Sequence, residues 1–128
     1  MINVTCAIIY FGSKILVTQR SKEMKLPLKW EFPGGKLELG ESEDSCIKRE
    51  IKEEINIEIE LLSKLTNTIH DYGEFQVNLI PFIARHISGE IILTEHHTYK
   101  LLDPAELLHL DWAEADLPIV EELLKIKL

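Results

Sequence analysis

At 128 residues the chain suits a single domain spanning 1–128, long enough to bury a core without disulfide or metal staples. Its formal charge of −8 argues against a nucleic-acid polymer as partner, which needs a basic face, although metal ions still let an acidic protein hold a nucleotide. Cys6 and Cys46 are far apart and form no metal-ligand spacing, which fits reduced, buried thiols in a cytoplasmic protein.

Val4 to Phe11 is apolar and β-branched, and Gly12-Ser13 separates it from Lys14 to Gln19. That pattern predicts a hairpin whose first strand is apolar on both faces, as in the middle of a sheet. The run lacks the basic region that precedes a signal peptide, and no segment approaches the roughly 18 apolar residues of a membrane span. Ser21 to Lys29 is polar, contains Pro27 and reads as a loop closed by Arg20 on its upstream side. Trp30-Glu31-Phe32-Pro33 leads into Gly34-Gly35, where the backbone turns tightly and comes close to a ligand.

The stretch that follows carries the chemistry. Ser42 is placed as an N-cap, with Glu43 and Asp44 in a first turn whose dipole favours acids. Ile47, Ile51 and Ile55 form an apolar stripe, and Asn56 stands where a left-handed residue ends the helix. At about 100° per residue, Glu53 and Glu54 fall about 60° and 40° either side of Glu50, so three carboxylates share one face. Such a face is either a solvated acidic surface or a site for a hard cation, Mg²⁺ or Mn²⁺.

Downstream, Glu58 to Asp71 reads as one bent strand or two short ones, and Asp71-Tyr72-Gly73-Glu74 as a turn. Phe75 to His86 is a long strand in which Pro81, lacking a donor, implies an edge position or a bulge. After Ser88-Gly89-Glu90 and a short apolar piece, Thr94 to His97 forms a loop. Its adjacent histidines, without a third ligand at suitable spacing, read as exposed or hydrogen-bonded rather than metal-bound. Tyr99 to Leu102 is a short strand. Asp103-Pro104-Ala105-Glu106 is a capping box opening a short helix through Leu108. Asp116-Leu117-Pro118 starts the last helix, with Val120, Leu123 and Leu124 inward and Asp116 as its N-cap.

From Gly35, five residues lead to Glu41 and seven more to Arg49-Glu50, followed by Ile51, Lys52, Glu53-Glu54, Ile55, Asn56 and Ile57. Residues 35–57 resemble the Nudix box, departing only at its last glycine, here Asn56. The resemblance implies a Nudix fold: an α/β (α+β) three-layer α/β/α sandwich around a mixed β-sheet. It implies divalent metal, Mg²⁺ or Mn²⁺, held by Glu50, Glu53 and Glu54 with a carbonyl of Gly34 or Gly35. Glu41 then acts through Arg49 or through a metal-bound water, and Glu53 or Glu95 is the general base. In MutT-like members the Trp30–Lys36 run borders the base pocket, which implies substrate contacts for Glu31, Phe32 and Lys36, and the family's Arg at the strand end, here Arg20, lies near the nucleotide.

In MutT proper an Asn stands at the place of Asp116, and the Ala-Asp-Leu-Pro sequence here resembles the CTP pyrophosphohydrolase branch more closely. An ionised Asp only accepts hydrogen bonds, which suits the amino group of cytosine or adenine. The implied activity is hydrolysis of (d)CTP, modified or oxidised nucleoside triphosphates to monophosphate and pyrophosphate, by a monomer or homodimer. The alternatives are a Nudix hydrolase of another substrate such as ADP-ribose, or an inactive nucleotide-binding module.

Overall fold

The computed structural model describes residues 1–126, so the last two positions of the expected domain lie outside the described residues. In chain order the elements are β1 (Ile2–Phe11), β2 (Lys14–Gln19), β3 (Trp30–Glu31), β4 (Gly34–Lys36), α1 (Glu43–Ile55), β5 (Glu58–Lys64), β6 (Thr68–Asp71), β7 (Gln76–Ser88), β8 (Thr98–Leu102) and α2 (Leu117–Lys125). Two 3₁₀ segments, Pro104–His109 and Glu114–Asp116, precede α2. The first is the short helix expected there, wound as 3₁₀. Glu106 accepts the Asp103 N–H at 2.9 Å in the capping box expected there, and the Asp103 carboxylate also accepts from Lys14 at 3.4 Å.

The sheet is mixed and mostly antiparallel. β1 runs parallel to β7 in the register Ile2↔Val77 to Tyr10↔Arg85, and antiparallel to β2 and β4. Side chains alternate across it, as strand geometry requires. Ala7, Ile9, Leu16, Ile80 and Phe82 pack under Ile47, Ile51 and Ile55 of α1. Ile8, Ile15 and Val17 face the other way, against Leu107, Ile119 and Leu123. The result is a helix layer on each face of one sheet. Burying each of the three α1 isoleucines, all 0% exposed, contributes about 1.5–3 kcal/mol.

Pro81 corrects its sequence reading. It lies in the interior strand β7, opposite Cys6 of β1, and not at an edge. On the other flank the neighbouring strand changes from β5, which reaches Phe82, to β6, which begins at Leu79. Pro81 accepts the Leu65 N–H at 3.0 Å there, so its missing donor falls in the break between two partners and removes no ladder bond.

Both ends of α1 behave as expected. Ser42 Oγ accepts the Ser45 N–H at 3.1 Å, and Asn56 is left-handed at φ 70°, ψ 25°. The substitution of Asn for the usual glycine therefore leaves the helix end intact.

Candidate active site

The carboxylates of α1 meet the loop before it. Gly35 lies so close to Glu50 that a Cβ there would run into the Glu50 carboxylate. Thr5 Oγ1 donates to the Gly35 carbonyl at 3.1 Å, fixing the loop on β1. A Cβ at Gly34 would clash with the Thr5 backbone, so this turn has room only for glycine.

Arg49 organises the acids. Its Nε and Nη2 donate to the two oxygens of Glu41 at 2.6 and 3.0 Å, and Nη1 donates to Glu50 at 2.8 Å and Glu53 at 3.1 Å. The guanidinium holds the Glu41 carboxyl down at about 2. The cation that these glutamates share in this structure is thus Arg49. Among the described residues, no three carboxylate, imidazole or thiol groups converge as a ready metal cage.

Glu54 is the exception within the acidic face. Its Oε2 is buried and has no hydrogen-bond partner among the described residues. Burial, and then the charges of Glu50, Glu95, Glu31 and Glu53, push its carboxyl up to about 8. A hard cation beside Glu50 and Glu54 would satisfy that orphaned oxygen and relieve the repulsion, so these residues fit a divalent metal. Glu95, exposed in the loop over the end of α1, is near enough to act on Glu54.

Two connected cavities open beside this cluster. The inner one, about 200 Å³, is lined by Thr5, Phe32, Gly34, Gly35, Glu54 and His96. The outer one, about 490 Å³, adds Lys25, Tyr72, Phe75 and Val77. Arg20, Glu31, Lys36 and Asp116 line both, so the predicted substrate contacts converge on one cleft. The Phe32 ring is only 3% exposed and tilts on Trp112 at 4.8 Å, which makes it a floor of the cleft with little free face.

Asp116 departs from its reading as an N-cap: its side chain makes no capping bond to α2. Instead Oδ2 accepts the Phe32 N–H at 2.9 Å, 5% exposed at the bottom of the cleft. It is carried there by a parallel bridge between Trp30 and Trp112. Burial, then the Glu31 charge, raises the Asp116 carboxyl well above the usual range.

Three participants were not legible beforehand. Tyr72 and Phe75, ring centroids 5.3 Å apart, form an aromatic wall of the outer cavity, although the sequence suggested only a turn for Tyr72 and the start of a strand for Phe75. His96 is buried and bonded to Glu31 at 2.9 Å, while His97 is exposed. No spacing rule links His96 to Glu31, 65 positions away.

This arrangement of glycine loop, acidic helix and flanking cleft is that of the Nudix hydrolases, and the chain belongs to that family. The NUDIX domain matches residues 1–123. The CTP pyrophosphohydrolase of Escherichia coli K12 is 30% identical over 127 residues, 99% of this chain and 94% of that one. A putative 8-oxo-dGTP diphosphatase 2 of Mycobacterium tuberculosis H37Rv is 31% identical over 82% of this chain and 75% of its own. The solution structure of MutT, a Nudix hydrolase from methicillin-resistant Staphylococcus aureus 252, superposes with a TM-score of 0.77 at 42% identity, covering 95% of this chain and 94% of that one. The fold is thus the expected one. No helix among the described residues is long and apolar enough to cross a membrane.

Proposed function

We propose that the protein is a Mg²⁺- or Mn²⁺-dependent MutT-like pyrophosphohydrolase acting on (d)CTP or on modified or oxidised nucleoside triphosphates such as 8-oxo-dGTP. The observation that carries this reading is Glu54, whose buried, unpartnered Oε2 lies beside Glu50 and opens on a cleft lined by Lys36, Arg20 and Asp116. Relatives named for CTP and for 8-oxo-dGTP support the substrate class. The buried free thiols Cys6 and Cys46 suit a reducing cytoplasm.

Glu50 and Glu54, with a carbonyl of the Gly34-Gly35 turn, would hold the metal. When bound, a divalent ion neutralises phosphate charge and lowers the pKa of a coordinated water. Glu53, exposed on the same helix face, takes the proton from the attacking water, with Glu95 the alternative base on the facing loop. Glu41 acts through Arg49, since both its oxygens are engaged there. Lys36 offers a point charge to the phosphates. The water oxygen bonds to the β-phosphorus and the α–β bridging oxygen leaves with the nucleoside monophosphate, releasing pyrophosphate.

The base would enter the outer cavity, against Tyr72 and Phe75, with its polar edge toward Asp116 and Glu31. Each Glu31 oxygen has a lone-pair site left after its bond within the protein. Pyrophosphate release measured with Mg²⁺ on CTP, dCTP, 5-methyl-dCTP, 8-oxo-dGTP, dGTP and ADP-ribose tests the reading. A cytidine or oxidised-guanine triphosphate is expected to exceed dGTP at least about tenfold in kcat/KM. Cleavage of ADP-ribose alone would overturn it.

A further inference from the structure

His96 is a buried polar side chain that the reaction above does not use. It is 2% exposed, with Nε2 2.9 Å from Glu31 Oε2. A carboxylate accepts, so Nε2–H is the donor, and Nδ1 is left buried without a hydrogen-bond partner among the described residues. The other Glu31 oxygen accepts from Arg20 Nη1 at 2.8 Å. The carboxylate is therefore gripped from both ends at the wall shared by the two cavities.

The segment that carries His96 is anchored on both sides. The Thr94 N–H and Oγ1 donate to the Glu54 carbonyl at 3.1 and 3.3 Å, seating the segment on the last turn of α1. The His97 N–H donates to the Gln19 carbonyl of β2 at 2.9 Å. His96 sits between these anchors and reaches Glu31 on β3. A half-satisfied imidazole is a poor way to fill a core, where an apolar residue of similar volume would leave no orphaned nitrogen. Its one side-chain bond goes to a group in the cleft.

We propose that His96 is a positioning residue, which together with Arg20 fixes the Glu31 carboxylate in the orientation that receives the substrate's base. It sets substrate affinity through Glu31 and leaves the cleavage step on α1 unaffected. The inference rests on the reading of Glu31 as a substrate contact. Freed from His96, Glu31 keeps one partner and gains rotamers, so binding weakens equally in the ground and transition states and KM carries the change.

Steady-state kinetics on the preferred triphosphate of the panel, with His96→Ala, His96→Gln, Glu31→Gln and the double variant Glu31→Gln/His96→Ala, tests it. Loss of a hydrogen bond to a charged group predicts a KM for His96→Ala raised about tenfold or more, with kcat within about threefold. His96→Gln, whose amide can still donate to Glu31, is expected to recover KM to within about threefold, and His96→Ala to add less than about twofold on top of Glu31→Gln. An unchanged KM in His96→Ala beside a raised KM in Glu31→Gln would overturn the inference. So would equal losses in His96→Ala and His96→Gln that track a common fall in Tm, the mark of a packing role. If Glu31→Gln itself leaves KM unchanged, the substrate reading of Glu31 fails and the inference goes with it.

Discussion

Arg49 grips Glu41 with two parallel bonds, Nε to Oε2 at 2.6 Å and Nη2 to Oε1 at 3.0 Å, and with its remaining nitrogen reaches Glu50 and Glu53. One guanidinium thus links the loop before α1 to the acidic face of the helix. Arg49→Ala leaves those acids without a protein cation. It is expected to cost about 1–2 kcal/mol, less than a fully buried pair because Arg49 remains partly solvated. Added Mg²⁺ should then raise the Tm of the variant more than that of the parent, because the metal supplies the missing charge. Urea unfolding and thermal melts with and without Mg²⁺ check both points.

Among the described residues the Glu53 carboxylate makes one exposed ion pair and no buried contact, so its removal should spare the fold. Glu53→Gln is expected to lower kcat by about 10²–10⁴ with Tm within a few degrees of the parent. Turnover within about tenfold of the parent would assign the base elsewhere, with Glu95 next in line.

Much of this site could be read from residue spacing. The helix, its caps, the shared face of Glu50, Glu53 and Glu54, and the tight glycine turn all depend on local geometry, which a sequence carries directly. Contacts made over long separations did not show. Asp116 bonding to the Phe32 N–H, and His96 to Glu31, depend on how β3, the loop before α2 and the loop before β8 come together. Pro81 misled for the same reason, since whether its missing donor matters depends on which strand stands opposite. The Asn56 helix end could be anticipated because its φ is a property of one residue.

Asp116 makes stability depend on pH. Burial holds its carboxyl above the usual range in the folded state, and the unfolded chain titrates normally. Below the unfolded value both states carry the proton and the contribution is fully present. As pH rises, only the folded state must keep the proton or bury a charge, so stability is lost through the folded value. Asp116→Asn can still accept from Phe32 and never ionises. Its Tm is expected to exceed that of the parent by a margin that widens from pH 4 to pH 8. A constant margin would mean that Asp116 titrates normally.

Gly35→Ala drives a methyl group into the Glu50 carboxylate. Overpacking of this kind typically costs about 1–3 kcal/mol, and displacing Glu50 should weaken Mg²⁺ activation several-fold. Gly12→Ala in the first hairpin, where a Cβ meets nothing but the chain is left-handed, should cost stability and leave the Mg²⁺ dependence unchanged. Denaturation curves and Mg²⁺ titrations of activity on both variants separate the two effects.

The most direct test of the whole account is product analysis of the preferred triphosphate, hydrolysed in ¹⁸O-labelled water with and without Mg²⁺. Nucleoside monophosphate and pyrophosphate are expected as the only products, with the label in pyrophosphate and no turnover once the metal is chelated. Release of orthophosphate, or hydrolysis that survives chelation, would contradict it.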